Sequence, residues 1–256
     1  MNRKKGETVF KPITGKQFRF RCHKEIPCFT KCCADLNLIL TPYDIIRIKN
    51  RLKLSSDVFL DRYTDTRIDS HPRFPMVVLK MNHDENRNCP FVTQDGCIIY
   101  EDRPGACRIY PLGRATSTVD GKRDTREKFF IVDEEHCLGF QEDTQWTIEE
   151  WVANEKVDEY NAMNDRWSEI ITSPKSMGNK KDLHRKIQMF YMASYNSDKL
   201  RRFIFESRFF DLFQLEPRLK ERLASDDVEL MKFACDWLKF SLFGEKTIHI
   251  RAQNSS

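Results

Sequence analysis

Phe18-Arg19-Phe20-Arg21-Cys22 alternates apolar and polar positions with period two, which predicts a strand running into a cysteine. Residues 36–40 read as a second short strand. At Thr41-Pro42-Tyr43-Asp44 the pattern changes, because a capping hydroxyl, a proline at the first helical position and an acid in the first turn all favour a helix start. Ile45, Ile48 and Leu52 then share one helical face, and the helix is expected to end near Lys53. Ser55 or Ser56 can cap a shorter helix through Leu60 and Tyr63. Residues 76–81 and 129–132, rich in β-branched and aromatic side chains, predict two further strands. Beyond them Thr147-Ile148-Glu149-Glu150 forms a capping box, and Trp151, Tyr160, Met163, Trp167 and Ile170 follow on one helical stripe. Three more helices are expected over residues 183–195, 199–213 and 228–243. This mixed order predicts an α+β fold and not a doubly wound sheet.

Composition sharpens the division. Eight of the ten prolines, seven of the nine glycines and eight of the nine cysteines precede residue 140, whereas all four tryptophans and ten of the nineteen phenylalanines lie from there on. Short elements joined by tight turns suit the first part, and packed helices the second. The expected organisation is a loop-rich, metal-organised cysteine module over residues 1–140 followed by an α-helical module over residues 141–256.

With 43 basic and 39 acidic residues the net charge is +4, too small and too mixed to mark a nucleic-acid binder. Lys180-Lys181 and Arg201-Arg202 read as solvated helix faces. The basic start of the chain is not followed by an apolar stretch of signal-peptide length, and no run is long enough to span a membrane. A cytoplasmic protein is therefore expected, without a membrane partner. In that reducing compartment clustered thiols point to metal or catalysis and not to disulfides.

The cysteines carry the chemistry. Cys22-x5-Cys28-x3-Cys32-Cys33 is followed by Cys89-x7-Cys97-x9-Cys107 and then by Cys137. Thiolates are strong ligands for soft metals, and several held together repel one another unless a cation neutralises them. All eight are metal-ligand candidates, for zinc sites or for an iron–sulfur cluster. Paired Cys-x2-4-Cys knuckles of zinc ribbons are missing, since only Cys28 and Cys32 fall in that range. Cys32 and Cys33, whose neighbouring side chains diverge along the backbone, suit two metals or two irons of one cluster better than one compact zinc site. Iron–sulfur is thus the preferred reading over zinc. His23 and His136 adjoin cluster cysteines but are expected to support the site from outside it. His71 and His83 are expected to be ordinary. Arg103 and Arg108 bracket Cys107, where a guanidinium can offset a negative centre or pair with Glu101 or Asp102. Cys235 shares a helical face with Met231, Ala234 and Leu238, and reads as a buried core thiol.

Cys89-Pro90-Phe91, Gly96-Cys97-Ile98-Ile99-Tyr100-Glu101-Asp102-Arg103-Pro104, Cys107-Arg108-Ile109-Tyr110-Pro111 and Cys137-Leu138-Gly139, with the cysteines before them, resemble the YkgJ-type cysteine-cluster family. The resemblance covers residues 18–140. It implies zinc or iron chelation through eight characteristic cysteines and fixes no general activity. One departure is visible, because the family opens with Cys-x2-Cys-x2-Cys-Cys and this chain has wider gaps. One branch of the family contains flagellin lysine N-methylases, which makes a metal-dependent enzyme of methyl transfer or redox chemistry one alternative. A structural zinc module serving interactions is the other, whereas in the leading metal-binding reading the helical part docks a protein partner or caps the metal module. No glycine-rich nucleotide-binding turn, phosphate loop, Gly-x-Ser-x-Gly or His-Glu-x-x-His accompanies the cysteines.

Overall fold

The computed structural model describes residues 9–118 and 125–250. In chain order the elements are β1 (Val9–Pro12), β2 (Gln17–Arg19), α1 (Pro42–Arg51), α2 (Ser56–Tyr63), β3 (Thr64–Arg67), β4 (Met76–Leu79), β5 (Val92–Thr93), β6 (Gly96–Cys97), α3 (Gly105–Ile109), β7 (Leu112–Thr118), β8 (Thr125–Asp133) and β9 (Gln145–Thr147). Helices follow: α4 (Ile148–Asn154), α5 (Val157–Ile171), α6 (Leu183–Tyr195), α7 (Ser197–Glu206), α8 (Phe209–Leu212), α9 (Pro217–Ser225) and α10 (Asp227–Phe243). The fold is α+β, and every strand pairing among the described residues is antiparallel.

Two compact units share the chain, and they are interleaved. One takes the residues up to Leu36 together with Met81–Glu159, and the other takes Asn37–Lys80 together with the residues from Tyr160 onward. Each compact unit is thus assembled from two separate stretches of the chain. The physical reason is that the apolar faces of α1 and α2 are covered by the C-terminal helices α10 and α7, while β9 and α4 close the core of the first unit.

In the first unit β8 is the central strand between β1 and β7, with Val9 opposite Asp133 and Leu112 opposite Ile131. Gly113 faces Phe130 in that register, and a Cβ there would overlap the Phe130 ring. β2 pairs with β9, placing Phe18 opposite Trp146. Phe18 and Phe20 are buried as their alternation predicts, and they pack edge-to-face on Trp151 at 6.0 and 5.5 Å. The indole N–H groups do not go unpaired: Trp151 donates to the Ile109 carbonyl and Trp146 to the Phe20 carbonyl, at 3.0 and 2.9 Å.

In the second unit Thr41 and Asp44 exchange hydrogen bonds as a capping box at the start of α1, with Pro42 at the first position. Ser55 caps α2 and Asp226 caps α10, whose end is turned by Gly244 in the left-handed region at φ 71°. Tyr43, Ile46, Tyr160 and Met231 form one core cluster, and Phe74 stacks on Phe190 at 4.1 Å. Cys235 is 2% exposed on α10, beside buried Met231, Ala234 and Leu238, as its helical face predicts.

Three expected elements differ. Residues 36–40 form no strand; Ile39 makes an isolated bridge to Val78, and Leu38 and Leu40 bond β4 through single backbone contacts. The stripe from Trp151 to Ile170 is two helices, because Lys156 takes a left-handed φ of 52° between α4 and α5. Residues 199–213 likewise divide into α7 and α8, whereas residues 183–195 are α6 as expected. No helix of the described residues is long and apolar enough to cross a membrane.

Candidate metal centre

Past β2 the chain abandons regular structure for consecutive tight turns. Backbone bonds run from Ile26 to His23, Phe29 to Ile26, Lys31 to Cys28 and Cys33 to Thr30, the last with Thr30 in the left-handed region at φ 67°. This winding brings Cys22, Cys28 and Cys32 back on themselves within a short stretch. Cys137 joins them from the turn after β8, held by its N–H on the Glu134 carbonyl at 3.0 Å. The next N–H, that of Leu138, donates to the Cys28 sulfur at 3.2 Å.

The four thiols sense one another. Burial first, and then the neighbouring Cys32, Cys28 and Cys137, pushes the Cys22 thiol up to about 11. Cys137 is pushed up by burial, and by Cys28 and Cys32, while the Tyr110 hydroxyl beside it acts the other way. Cys32 is driven up chiefly by its side-chain hydrogen bond with Cys33, then by burial and by the charges of Cys33 and Glu134. The Cys32 and Cys33 thiols thus meet in the short 3-10 turn Lys31–Cys33, although their backbone directions diverge.

A second pair sits in the β5–β6 hairpin. Cys97 lies opposite Val92, and Cys89 immediately precedes the hairpin with its N–H on the Cys33 carbonyl at 2.7 Å. Burial lifts Cys89 to about 11, with the Cys97 charge adding to it. Gly96 turns this hairpin at φ 112°, where a side chain would be strained and would press on the Phe29 ring. Cys107 is half-buried on α3. All nine cysteines are free thiols.

The charged neighbours sort differently from the sequence expectation. Arg103 and Arg108 are both buried, at 8% and 4% exposure, and converge on a residue that the spacing does not reveal, Glu155. Arg103 pairs with the Glu155 carboxylate and lies over the Tyr100 ring, its guanidinium carbon 3.7 Å from the centroid. Arg108 donates to the Glu155 backbone carbonyl at 2.7 Å and also to the Glu101 carbonyl. Arg103 still acts on the thiols, opposing the burial that raises Cys97. His23 Nε2 lies 3.3 Å from Glu142 and His136 Nε2 lies 3.5 Å from Glu134, so each imidazole faces a carboxylate. His71 accepts the N–H groups of Arg73 and Phe74, an ordinary structural role.

Two side chains beside the thiols were not evident from spacing. Glu134 adds a carboxylate that bears on Cys32 and Tyr110. Tyr110 places a hydroxyl, shielded from water, next to Cys137. Among the described residues no three His, Cys, Asp or Glu side chains stand in an arrangement able to hold a metal ion as they are. The donor chemistry nonetheless fits a soft cation, because crowded thiols that resist ionisation alone become good ligands once a positive charge is supplied.

Residues 21–145 match the family model CxxCxxCC, described as a putative zinc- or iron-chelating domain. This segment is similar to that family. Comparison with curated proteins and with solved structures finds no match. The matched segment includes all eight clustered cysteines, from Cys22 to Cys137, and leaves out Cys235. It ends short of Trp151 and Glu155, which complete the core and the arginine pairing of the same compact unit.

Proposed function

We propose that the protein is a cytoplasmic metal-binding protein whose cysteine-rich segment holds an iron–sulfur cluster, in preference to zinc, through up to eight cysteines drawn from Cys22, Cys28, Cys32, Cys33, Cys89, Cys97, Cys107 and Cys137. The observation that carries this reading is the meeting of Cys22, Cys28 and Cys32 with Cys137, more than a hundred residues further along the chain. Four thiols in mutual electrostatic contact are unfavourable as ions without a cation, and a bound metal reverses that balance. Because the thiols do not stand ready as a three-donor site, metal would draw them together on binding and so add to the stability of the unit.

Anaerobic purification followed by absorption spectroscopy and analysis for iron, zinc and acid-labile sulfide tests the proposal. Broad visible absorption with iron and sulfide supports a cluster. A colourless protein carrying zinc overturns the iron–sulfur preference and keeps chelation. A protein that takes up neither metal at stoichiometric level overturns chelation itself.

A further inference from the structure

The Tyr110 hydroxyl is a buried polar atom without a hydrogen-bond partner among the described residues. Its ring is fixed by the core, with Phe20 edge-on at 5.9 Å, so the hydroxyl cannot easily turn out to water. It lies beside the Cys137 sulfur without completing a well-directed hydrogen bond to it. Desolvating a hydroxyl and leaving it unpaired is unfavourable, so native structures rarely keep such a group without a reason. A neutral thiol is a weak acceptor and satisfies a hydroxyl poorly, whereas a thiolate is a strong one. The sulfurs here already accept such bonds, since Leu138 N–H donates to Cys28.

We propose that Tyr110 is a positioning residue of the metal centre, whose hydroxyl donates a hydrogen bond to the Cys137 sulfur when that sulfur is a ligand. The inference rests on the metal-binding reading above. It makes the unpaired hydroxyl a feature of the metal-free state alone. Outer partners of this kind orient a ligand and strengthen its hold on the metal, and losing one typically weakens binding about 10–100-fold.

Tyr110→Phe removes the oxygen and keeps the ring. In the metal-free protein its melting temperature should equal or exceed that of the unsubstituted protein, because an unsatisfied group has gone. The rise in melting temperature on adding zinc or iron should be smaller, and competition against a chromogenic chelator should show affinity lowered about 10–100-fold. The same substitution in a Cys137→Ala background should change affinity less than about twofold, since the acceptor is absent. An unchanged affinity in Tyr110→Phe overturns the proposal, and so does an equal loss in both backgrounds. Equal destabilisation with and without metal assigns Tyr110 to packing and overturns it too. If the unsubstituted protein shows no metal-induced rise, the metal-binding reading fails first and takes this one with it.

Discussion

Replacing Glu155 by alanine would strip the carboxylate from a buried guanidinium. The side chains of Arg103 and Glu155 are 9% and 10% exposed, so water cannot take over the lost contact. Removing one partner of a buried pair costs about 3–5 kcal/mol, mostly because the remaining charge stays desolvated. Arg103 keeps the Tyr100 carbonyl and the face of the Tyr100 ring, and Arg108 keeps the Glu155 backbone carbonyl. Those surviving contacts place the expected loss at the lower end, about 3 kcal/mol. With a urea dependence of about 2 kcal/mol per molar, the unfolding midpoint of this unit would fall by about 1.5 M. The cysteines themselves supply the assay, since Cys89 is buried and lies in the same unit as Glu155. A brief alkylation pulse at each urea concentration, in the presence of chelator, reports by mass spectrometry when Cys89 loses protection. The double replacement Arg103→Met with Glu155→Leu should recover most of the loss, because no unpaired charge remains. A midpoint shift in Glu155→Ala below about 0.3 M would refute the reasoning and show that the pair is solvated or dispensable.

Two further outcomes test the remaining electrostatics and the thiol assignment. Burial pushes the Asp227 carboxyl up, but hydrogen bonds and charges from Lys49 and Arg201 outweigh it and hold the group below its ordinary value. A depressed folded value means stability that is present above about pH 4 and lost as pH falls through the folded value. Asp227→Asn should therefore lower stability at neutral pH and flatten the acid limb of thermal melts, and an unaltered acid limb would count against it. In a separate measurement, chelator treatment should speed alkylation of Cys22 and Cys137 while Cys235, buried and pushed up to about 12, stays unmodified in both states. Equal reaction of Cys235 would remove it from the core.

Local chemistry carried furthest where the signal was local. Thr41-Pro42 with Asp44, and Thr147 with Glu150, set helix starts through groups three residues apart, and both capping boxes form. The alternation of Phe18 and Phe20 and the apolar face around Cys235 were legible for the same reason. The break at Lys156 was not, because a left-handed residue inside an amphipathic pattern leaves no periodic trace. Nor was the interleaving of the units, which depends on which apolar faces cover one another. At the candidate site the eight cysteines could be named from spacing, but their grouping could not. Cys137 meets Cys22 only through the turn after β8, and Glu155 meets Arg103 and Arg108 only because α4 folds onto α3. Tyr110 and Glu134 were silent because a tyrosine and a glutamate acquire meaning from what stands beside them.

The interleaving also sets a timetable. Cys22, Cys28, Cys32 and Cys33 emerge before the other clustered cysteines, and residues 37–80, which belong to the other unit, intervene before Cys89 arrives. At roughly 5–20 residues per second, the span from Cys33 to Cys137 takes on the order of ten seconds. For about the first half of that interval the first thiols lack the Cys89 N–H that bonds Cys33 in the finished fold, and for all of it they lack Cys137. A nascent chain with four bare thiols is the form most exposed to oxidants and to the wrong metal, and a centre that takes Cys137 as a ligand could not be completed before that residue is made.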